Sequence, residues 1–411
     1  MKQRKSVALL IETSNAYARG LLEGIVEYQK CHDAWSITLP EQERGALPPS
    51  WIKKWRGDGM IARIENDAIA SVLAKLKIPI VDLSSARRLE SIPWVETDDE
   101  AIAKIALDHL RERGYRQFAF CGLEAFNWSR LREKPFLEAC RAQGMTCNVY
   151  RSRASIEGSR SLVPAEKKRL AKWLAQLPKP IGLLAAYDIQ AQIVLDICRS
   201  QSISVPEQIA VLGVDNDPLL CNLSTPSLSS VIPNAIGAGM LAAELLEQLM
   251  ADNKKTSQGK LLAPLGIAQR QSTDVTAVDD PLIAKAMQFI REHACNGINV
   301  EDVLKAIPLS RRLLESRFRK ATGKTPHEMI TQRRLSRVAL LLRDTDLSQE
   351  EIARRCGFEY AEYMNTLFRK QHGMSPGVYR KNSYFNECIN ARTSKNSDGA
   401  IVPAKPSGIL L

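Results

Sequence analysis

Two polar clusters in the last quarter of this 411-residue chain gather hydrogen-bonding side chains at helical spacing. Arg312, Glu315 and Ser316 are three and four positions apart, so on a helix they share one face, while Leu314 and Phe318 turn inward together. Ser310 and Arg311 stand at the start of that segment. Fifty positions later Tyr360, Ala361, Glu362 and Thr366 accompany an inward pair, Met364 and Phe368. An arginine fork suits guanine, a carboxylate suits the cytosine amino group, and hydroxyls serve either strand. A second set lies earlier in the chain: Thr13, Asn15 and Arg19, then Trp128 and Arg132, then Asp188, then Asp215 and Asn216. Each group follows an apolar run that reads as a strand, and open α/β sheets bind their ligands just past the carboxyl ends of strands.

The base-reading candidates need helices held at fixed spacing, and the sequence writes such a frame twice. Phe318-Arg319-Lys320-x-x-Gly323-x-Thr325-Pro326 returns as Phe368-Arg369-Lys370-x-x-Gly373-x-Ser375-Pro376. Upstream of the second copy, Ser348 is an N-cap with Glu351 at the capping-box position. Ile352 and Cys356 face inward, and Gly357 suits a left-handed turn between two helices. Upstream of the first, Val303 and Ile307 face inward and Ser310 caps the next helix, but Pro308 stands where glycine is usual. Thr325-Pro326-His327-Glu328 is a further capping box, opening a connecting helix that runs through Arg343. About 18 residues span about 27 Å, against about 34 Å between successive major-groove entries on one DNA face. Two tandem helix-turn-helix motifs are therefore expected.

The other set needs parallel strands. Ser6–Ile11, Trp35–Leu39, Gly59–Ala62, Ile78–Leu83, Gln117–Cys121, Thr146–Tyr150, Ile181–Ala186, Ile209–Val214 and Leu265–Ala268 alternate with helical patterns. That order predicts right-handed βαβ units, and roughly ten strands predict two α/β lobes rather than one sheet. The fold class expected is thus a two-lobed α/β domain followed by an all-α domain.

Composition narrows the function. Residues 282–383 hold 19 Lys/Arg against 11 Asp/Glu, so much of the net charge of +11 sits in a quarter of the chain, as attraction to phosphates requires. No apolar run is long enough to span a membrane, and Val7–Ile11 is too short for a signal-peptide core. Nine cysteines without a Cys-x-x-Cys pair point to reduced thiols and a cytoplasmic protein. Cys140 and Cys147 alone make no metal site. There is no phosphate-binding glycine loop, nucleophile elbow or zinc-protease motif, and the five histidines are scattered, so neither an enzyme nor a bound cofactor is expected.

From about Ile283 to Lys381, down to the closing Gly373-Met-Ser-Pro-x-x-Tyr-Arg380, the chain resembles the AraC/XylS-type DNA-binding domain. Ser129-x-x-Arg132-x-x-x-Phe136, Ala186-Tyr187-Asp188, Gly213-Val214-Asp215-Asn216 and Pro226-x-Leu228-Ser229-Ser230-Val231 resemble the LacI/GalR-type effector domain, kin to periplasmic sugar-binding proteins. That resemblance implies that Arg132 and the aspartates bind sugar hydroxyls while Trp128 stacks on the ring. Sugars call for such forked donors, carboxylate acceptors and an apolar plate. Arg270-x-Ser272-Thr273-Asp274, Asp280-Pro281 and Phe289 to Ile298 join the halves as in regulators of the xylose-operon type. The first loop, Glu12-Thr13-Ser14-Asn15, departs from that pattern. The domain order expected is an effector domain over 1–273, a linker over 274–282, a DNA-binding domain over 283–382 and a disordered tail over 383–411. The expected protein is a sugar-controlled transcription factor, with xylose or a related sugar as effector. It would act as a homodimer on double-stranded DNA, meeting RNA polymerase if it is an activator. The alternatives are a non-sugar effector such as a purine or a protein, and a DNA-repair enzyme fused to this module, for which no cysteine has the needed setting.

Overall fold

The computed structural model describes residues 4–32, 35–41, 47–153, 164–252, 259–274 and 280–381. The tail expected to be disordered, and most of the expected linker, lie outside them. The chain divides into two compact units, Met1–Pro281 and Leu282–Leu411.

The first unit begins with β1 (Lys5–Leu10), α1 (Ala16–His32), β2 (Trp35–Thr38), β3 (Gly59–Ala62), α2 (Asp67–Leu73), β4 (Ile80–Asp82) and β5 (Trp94–Thr97). It passes into a second lobe through α3 (Asp99–Glu112), β6 (Phe118–Leu123), α4 (Asn127–Ala142), β7 (Cys147–Ser152) and α5 (Pro164–Gln176). That lobe continues with β8 (Ile181–Ala185), α6 (Asp188–Ser200), β9 (Ile209–Val214), α7 (Pro218–Leu223) and β10 (Ser229–Ile232). The chain then returns to the first lobe with α8 (Ala235–Asp252) and β11 (Gly259–Leu262), and crosses once more to β12 (Gly266–Ala268). The sheets run β11-β5-β4-β3-β1-β2 and β12-β10-β9-β8-β6-β7. All neighbours are parallel except β10 and β12. In each sheet the order reverses at one strand, β1 or β6, so ligand crevices open at the carboxyl ends beside those two strands.

Both faces of each sheet are covered, which is why the strands read as unbroken apolar runs. In the first lobe α1 and α8 approach closely enough that backbone meets backbone. A Cβ on Gly24 would fall 2.0 Å from the Ile236 carbonyl oxygen, and one on Gly239 would fall 2.0 Å from that of Leu21. Three strands escaped the sequence reading. In β10 two serines break the apolar run, yet both are fully buried because the fold supplies partners: Ser229 bonds the Arg270 backbone and Ser230 the Asp188 carboxylate. In β5 a single aliphatic residue stands between Trp94 and Glu96, and β11 mixes Gly and Lys with its leucines.

Crossings between the lobes are tied together. The Asp98 N–H donates to the Leu262 carbonyl at 2.8 Å, and the Leu265 N–H to that of Ile232 at 2.8 Å.

The second unit is helical: α9 (Pro281–His293), α10 (Val300–Ala306), α11 (Arg311–Thr322), α12 (Pro326–Asp344), α13 (Gln349–Arg355) and α14 (Ala361–His372). Ser310 and Ser348 accept from the Leu313 and Glu351 N–H groups as caps, and Thr325 with Glu328 forms a reciprocal capping box. The inter-helix turns differ. Gly357 takes φ +75° in the second, whereas in the first Ile307 is extended and the Leu309 N–H closes back on the Ile307 carbonyl at 2.8 Å around Pro308. Proline, which fixes φ near −65°, explains the change of shape.

Candidate functional site

The cavity between the lobes of the first unit is built at the carboxyl ends of β1, β3, β4, β5, β8 and β9. Its walls are Asn15, Tyr17, Arg63, Ser85, Glu96, Thr97, Asp99, Trp128, Arg132, Tyr187 and Asp215. Four of the residues read from sequence therefore meet: Asn15, Trp128, Arg132 and Asp215. Its volume is about 40 Å³, room for about three waters, so a sugar ring enters only if the lobes part or the walls shift.

Arg132, at the buried face of α4, is held on two sides. Its Nε and Nη2 reach Asp99 Oδ1 at 2.8 and 2.7 Å, and its Nη1 donates to the Ala186 carbonyl. Burial alone would lower the guanidinium, but the Asp99 and Asp215 carboxylates outweigh it and hold the charge. Burial pushes Asp99 up while Arg132 pulls it down. We read the pair as ionised, since arginine keeps its proton and donates twice here. Trp128 lies edge-on to Tyr187 at 5.3 Å, with the Arg132 guanidinium 5.7 Å from its ring centre. Asp215 and Asn216 occupy positive φ, 109° and 49°, in a loop directly after β9. Such strain in non-glycine residues persists only where the surroundings enforce it.

The other sequence candidates do not line the cavity. Asp188 is 2 % exposed and faces the protein, accepting from Asp217 N–H at 2.8 Å, Ser230 Oγ at 2.6 Å and Cys221 Sγ at 3.4 Å. Burial, with the Asp215 charge adding, raises its carboxyl well above the usual range. It braces the Asp215 loop from behind. Asn216 accepts from Arg270 Nη2 at 2.9 Å, and Arg19 pairs with Asp217 at 3.2 Å while also bonding the Thr13 carbonyl.

Asn15 apart, sequence reading missed the first-lobe wall. Arg63 lies between Glu12 and Glu65, at 2.5 Å from each, and stacks 5.4 Å from the Tyr17 ring. Arg63 follows strand β3 directly, the same signal that marked Asn15 and Asp215. Glu96 and Thr97 were hidden because β5 went unread. Burial pushes Glu96 up to about 8, although Arg87 donates to it at 3.0 Å.

In the second unit the two recognition segments carry the same burial pattern. Leu314 and Phe318, like Met364 and Phe368, are fully buried, and Ser310, Arg311, Arg312, Ser316, Tyr360, Glu362 and Thr366 are exposed, with Glu315 and Ala361 half-buried. Several exposed groups already have internal partners. Arg311 pairs with Glu301 at 2.6 Å and Glu315 at 3.1 Å, and Thr366 Oγ bonds the Glu362 carbonyl at 2.9 Å. Arg312 makes no ion pair among the described residues.

Comparison with known proteins agrees with both halves. A family model of the XylR N-terminal domain matches residues 6–100, a periplasmic binding protein-like domain matches 107–273, and a helix-turn-helix domain matches 303–382. The xylose operon regulatory protein of Escherichia coli K12 is 36% identical over 386 residues, covering 92% of this chain and 97% of that protein. That of Haemophilus influenzae is 32% identical over 389 residues, covering 93% and 99%. A solved structure of the xylose-binding transcription activator XylR superposes with a TM-score of 0.81 at 34% identity, covering 92% of this chain and 98% of that one. These relatives are transcriptional regulators and not enzymes. A two-lobed α/β unit joined to a tandem helix-turn-helix unit, matched along nearly its whole length, makes this chain a member of the xylose-operon regulator family of DNA-binding transcription regulators.

Proposed function

We propose that the interlobe cavity binds a small sugar, xylose or a close pentose relative, and that binding alters how the helical unit engages DNA. The observation that carries this is the convergence of Asn15, Trp128, Arg132 and Asp215 on one cavity, from positions up to 200 residues apart. Forked donor, carboxylate, amide and aromatic plate are what a ring of hydroxyls with an apolar face requires. Arg312, Glu315 and Ser316, with Tyr360, Ala361, Glu362 and Thr366, are the proposed base-reading set, with Ser310 and Arg311 at the edge of the first helix. We assign the effector role to 1–273 and the DNA-binding role to 283–382. The protein would work in the cytoplasm as a homodimer on operator DNA, contacting RNA polymerase if it activates.

Calorimetric titration of the full chain with xylose, arabinose and glucose tests the sugar reading. Asp215→Ala strands the hydroxyl and cation it served, and a loss of about 2–3 kcal/mol of binding is expected. Undiminished xylose affinity in Asp215→Ala, or no sugar binding in the parent protein, sinks it. On DNA, Arg312→Ala should cost about 1–3 kcal/mol at a matched site and relax one base position. Equal weakening on specific and random duplex would make Arg312 a phosphate contact instead.

A further inference from the structure

At the opposite end of the first lobe's strands from the sugar cavity lies a larger hollow, about 660 Å³, that no part of the regulatory reading uses. Its walls are Lys53, Trp55, Arg56, Gly57, Val72, Lys75, Leu76, Lys77 and Ile78. These residues precede β3 and β4, whereas Arg63 and Ser85 of the sugar cavity come after the same two strands. The hollow is therefore at the amino ends of the strands, away from the crevice where open α/β sheets place their ligands.

Two features set its chemistry. Trp55, Val72, Leu76 and Ile78 form an apolar floor, being the outer layer of a packed core beneath. Lys53, Arg56, Lys75 and Lys77 form an exposed cationic rim, and no carboxylate is among the described residues that line it. None of the four makes an ion pair among the described residues, and the side-chain bond of Arg56 runs to the neighbouring Trp55 carbonyl at 3.0 Å. Some exposed cations elsewhere on this unit are paired with acids, as in Arg88 with Asp67 or Arg199 with Asp196. Others, such as Lys104 and Lys172, are not paired among the described residues but stand apart from this hollow. Lysines beyond the end of α2 suit a helix carboxyl terminus, but that does not account for Lys53 and Arg56, which come from a separate segment. Four unneutralised cations around one concavity concentrate anions there. The Trp55 ring is half-buried, so one side of it packs on the core while the rest is open to the hollow. The volume lies within the range of small-molecule sites.

We propose that this hollow is a second effector site for a phosphorylated small molecule with a flat organic body, the body lying on Trp55, Leu76 and Ile78 and the phosphates on the lysine and arginine rim. The test is calorimetric titration of the full chain with ADP, inorganic pyrophosphate and a short random duplex. Saturable one-to-one ADP binding is expected, tighter than that of pyrophosphate because of the apolar floor. Lys75→Gln with Lys77→Gln should weaken ADP by about tenfold or more, as loss of charge-assisted hydrogen bonds implies. Both positions are exposed, so the fold should hold, and a melting temperature equal to that of the parent checks it. Trp55→Leu should bring ADP and pyrophosphate to equal affinity. Absence of saturable ADP binding, or ADP binding untouched by the lysine changes, overturns the proposal. Displacement of ADP by xylose would put the nucleotide in the sugar cavity and overturn it equally. Lysine changes that weaken the duplex and spare ADP would reassign the rim to the DNA backbone.

Discussion

Glu96 shows how a single residue of the cavity couples ligand chemistry to stability. Its carboxyl sits beside Arg87, yet burial, with Asp99 and Asp82 nearby, raises it from the usual 4.5 to about 8. Protonated, it can donate to a sugar hydroxyl, and ionised it can only accept. The folded state thus holds a proton that the unfolded state releases near pH 4.5. The stability tied to this group is complete below that pH and is lost as pH rises through about 8. Asp82, raised to about 7 by burial, adds to the same slope. Glu96→Gln should flatten the fall in melting temperature between pH 5 and pH 8 and raise it at the upper end. An unchanged slope would mean that Glu96 is ionised throughout. Neither Glu96 nor the role of Asp188 was legible in the sequence. Strand β5 offers too few apolar residues to be seen, and Asp188 is turned inward by Ser230, Cys221 and the Asp217 amide, partners 29 to 42 positions away. Sequence position marks which groups stand near a crevice, but the direction of a side chain depends on partners that folding brings.

At the scale of elements the helical unit was far more legible, because its signals are local. Capping residues, inward pairs four apart and a motif written twice all act within a few turns of chain. The shape of the first inter-helix turn was foreshadowed only by Pro308. Two glycines flanking α14 separate two reasons for having no side chain. Gly373 has φ +72° with nothing within 4 Å of a would-be Cβ, so Gly373→Ala bears only backbone strain, about 1 kcal/mol. Gly357 has φ +75° and a would-be Cβ 2.7 Å from the Gly297 nitrogen and 2.8 Å from the Cys295 oxygen, so alanine must also push backbone apart. Gly357→Ala is expected to lose at least about 1 kcal/mol more than Gly373→Ala. A far-UV circular dichroism melt of the full chain reads this. Tryptophan fluorescence should stay still, since all six tryptophans lie between residues 35 and 173. Equal losses in the two variants would show that the close approach at Gly357 relaxes without cost.

At the scale of the whole molecule the proposed switch is a thermodynamic cycle. The cavity takes Asn15, Tyr17, Arg63, Ser85, Glu96 and Thr97 from the first lobe and Trp128, Arg132, Tyr187 and Asp215 from the second. A ligand that touches both walls favours whichever lobe arrangement satisfies both, and it can shift that equilibrium only by its difference in affinity for the two arrangements. The small cavity of the present arrangement fits this, since one arrangement admits the ring and another grips it. If sugar changes operator affinity by some factor, operator DNA must change sugar affinity by the same factor, typically about 5–150-fold. Xylose titrations with and without saturating operator, set beside operator titrations with and without saturating xylose, should therefore give one common ratio. Asp99→Asn provides the sharper arm. It weakens the carboxylate grip on Arg132 at the crossing from β5 to α3 while leaving every side chain of the proposed base-reading set in place. Operator affinity without sugar should stay near that of the parent, and the common ratio should fall toward one. If both ratios remain at the parent value while sugar binds less tightly, the Asp99–Arg132 pair serves sugar affinity alone and the coupling runs through other residues of the hinge.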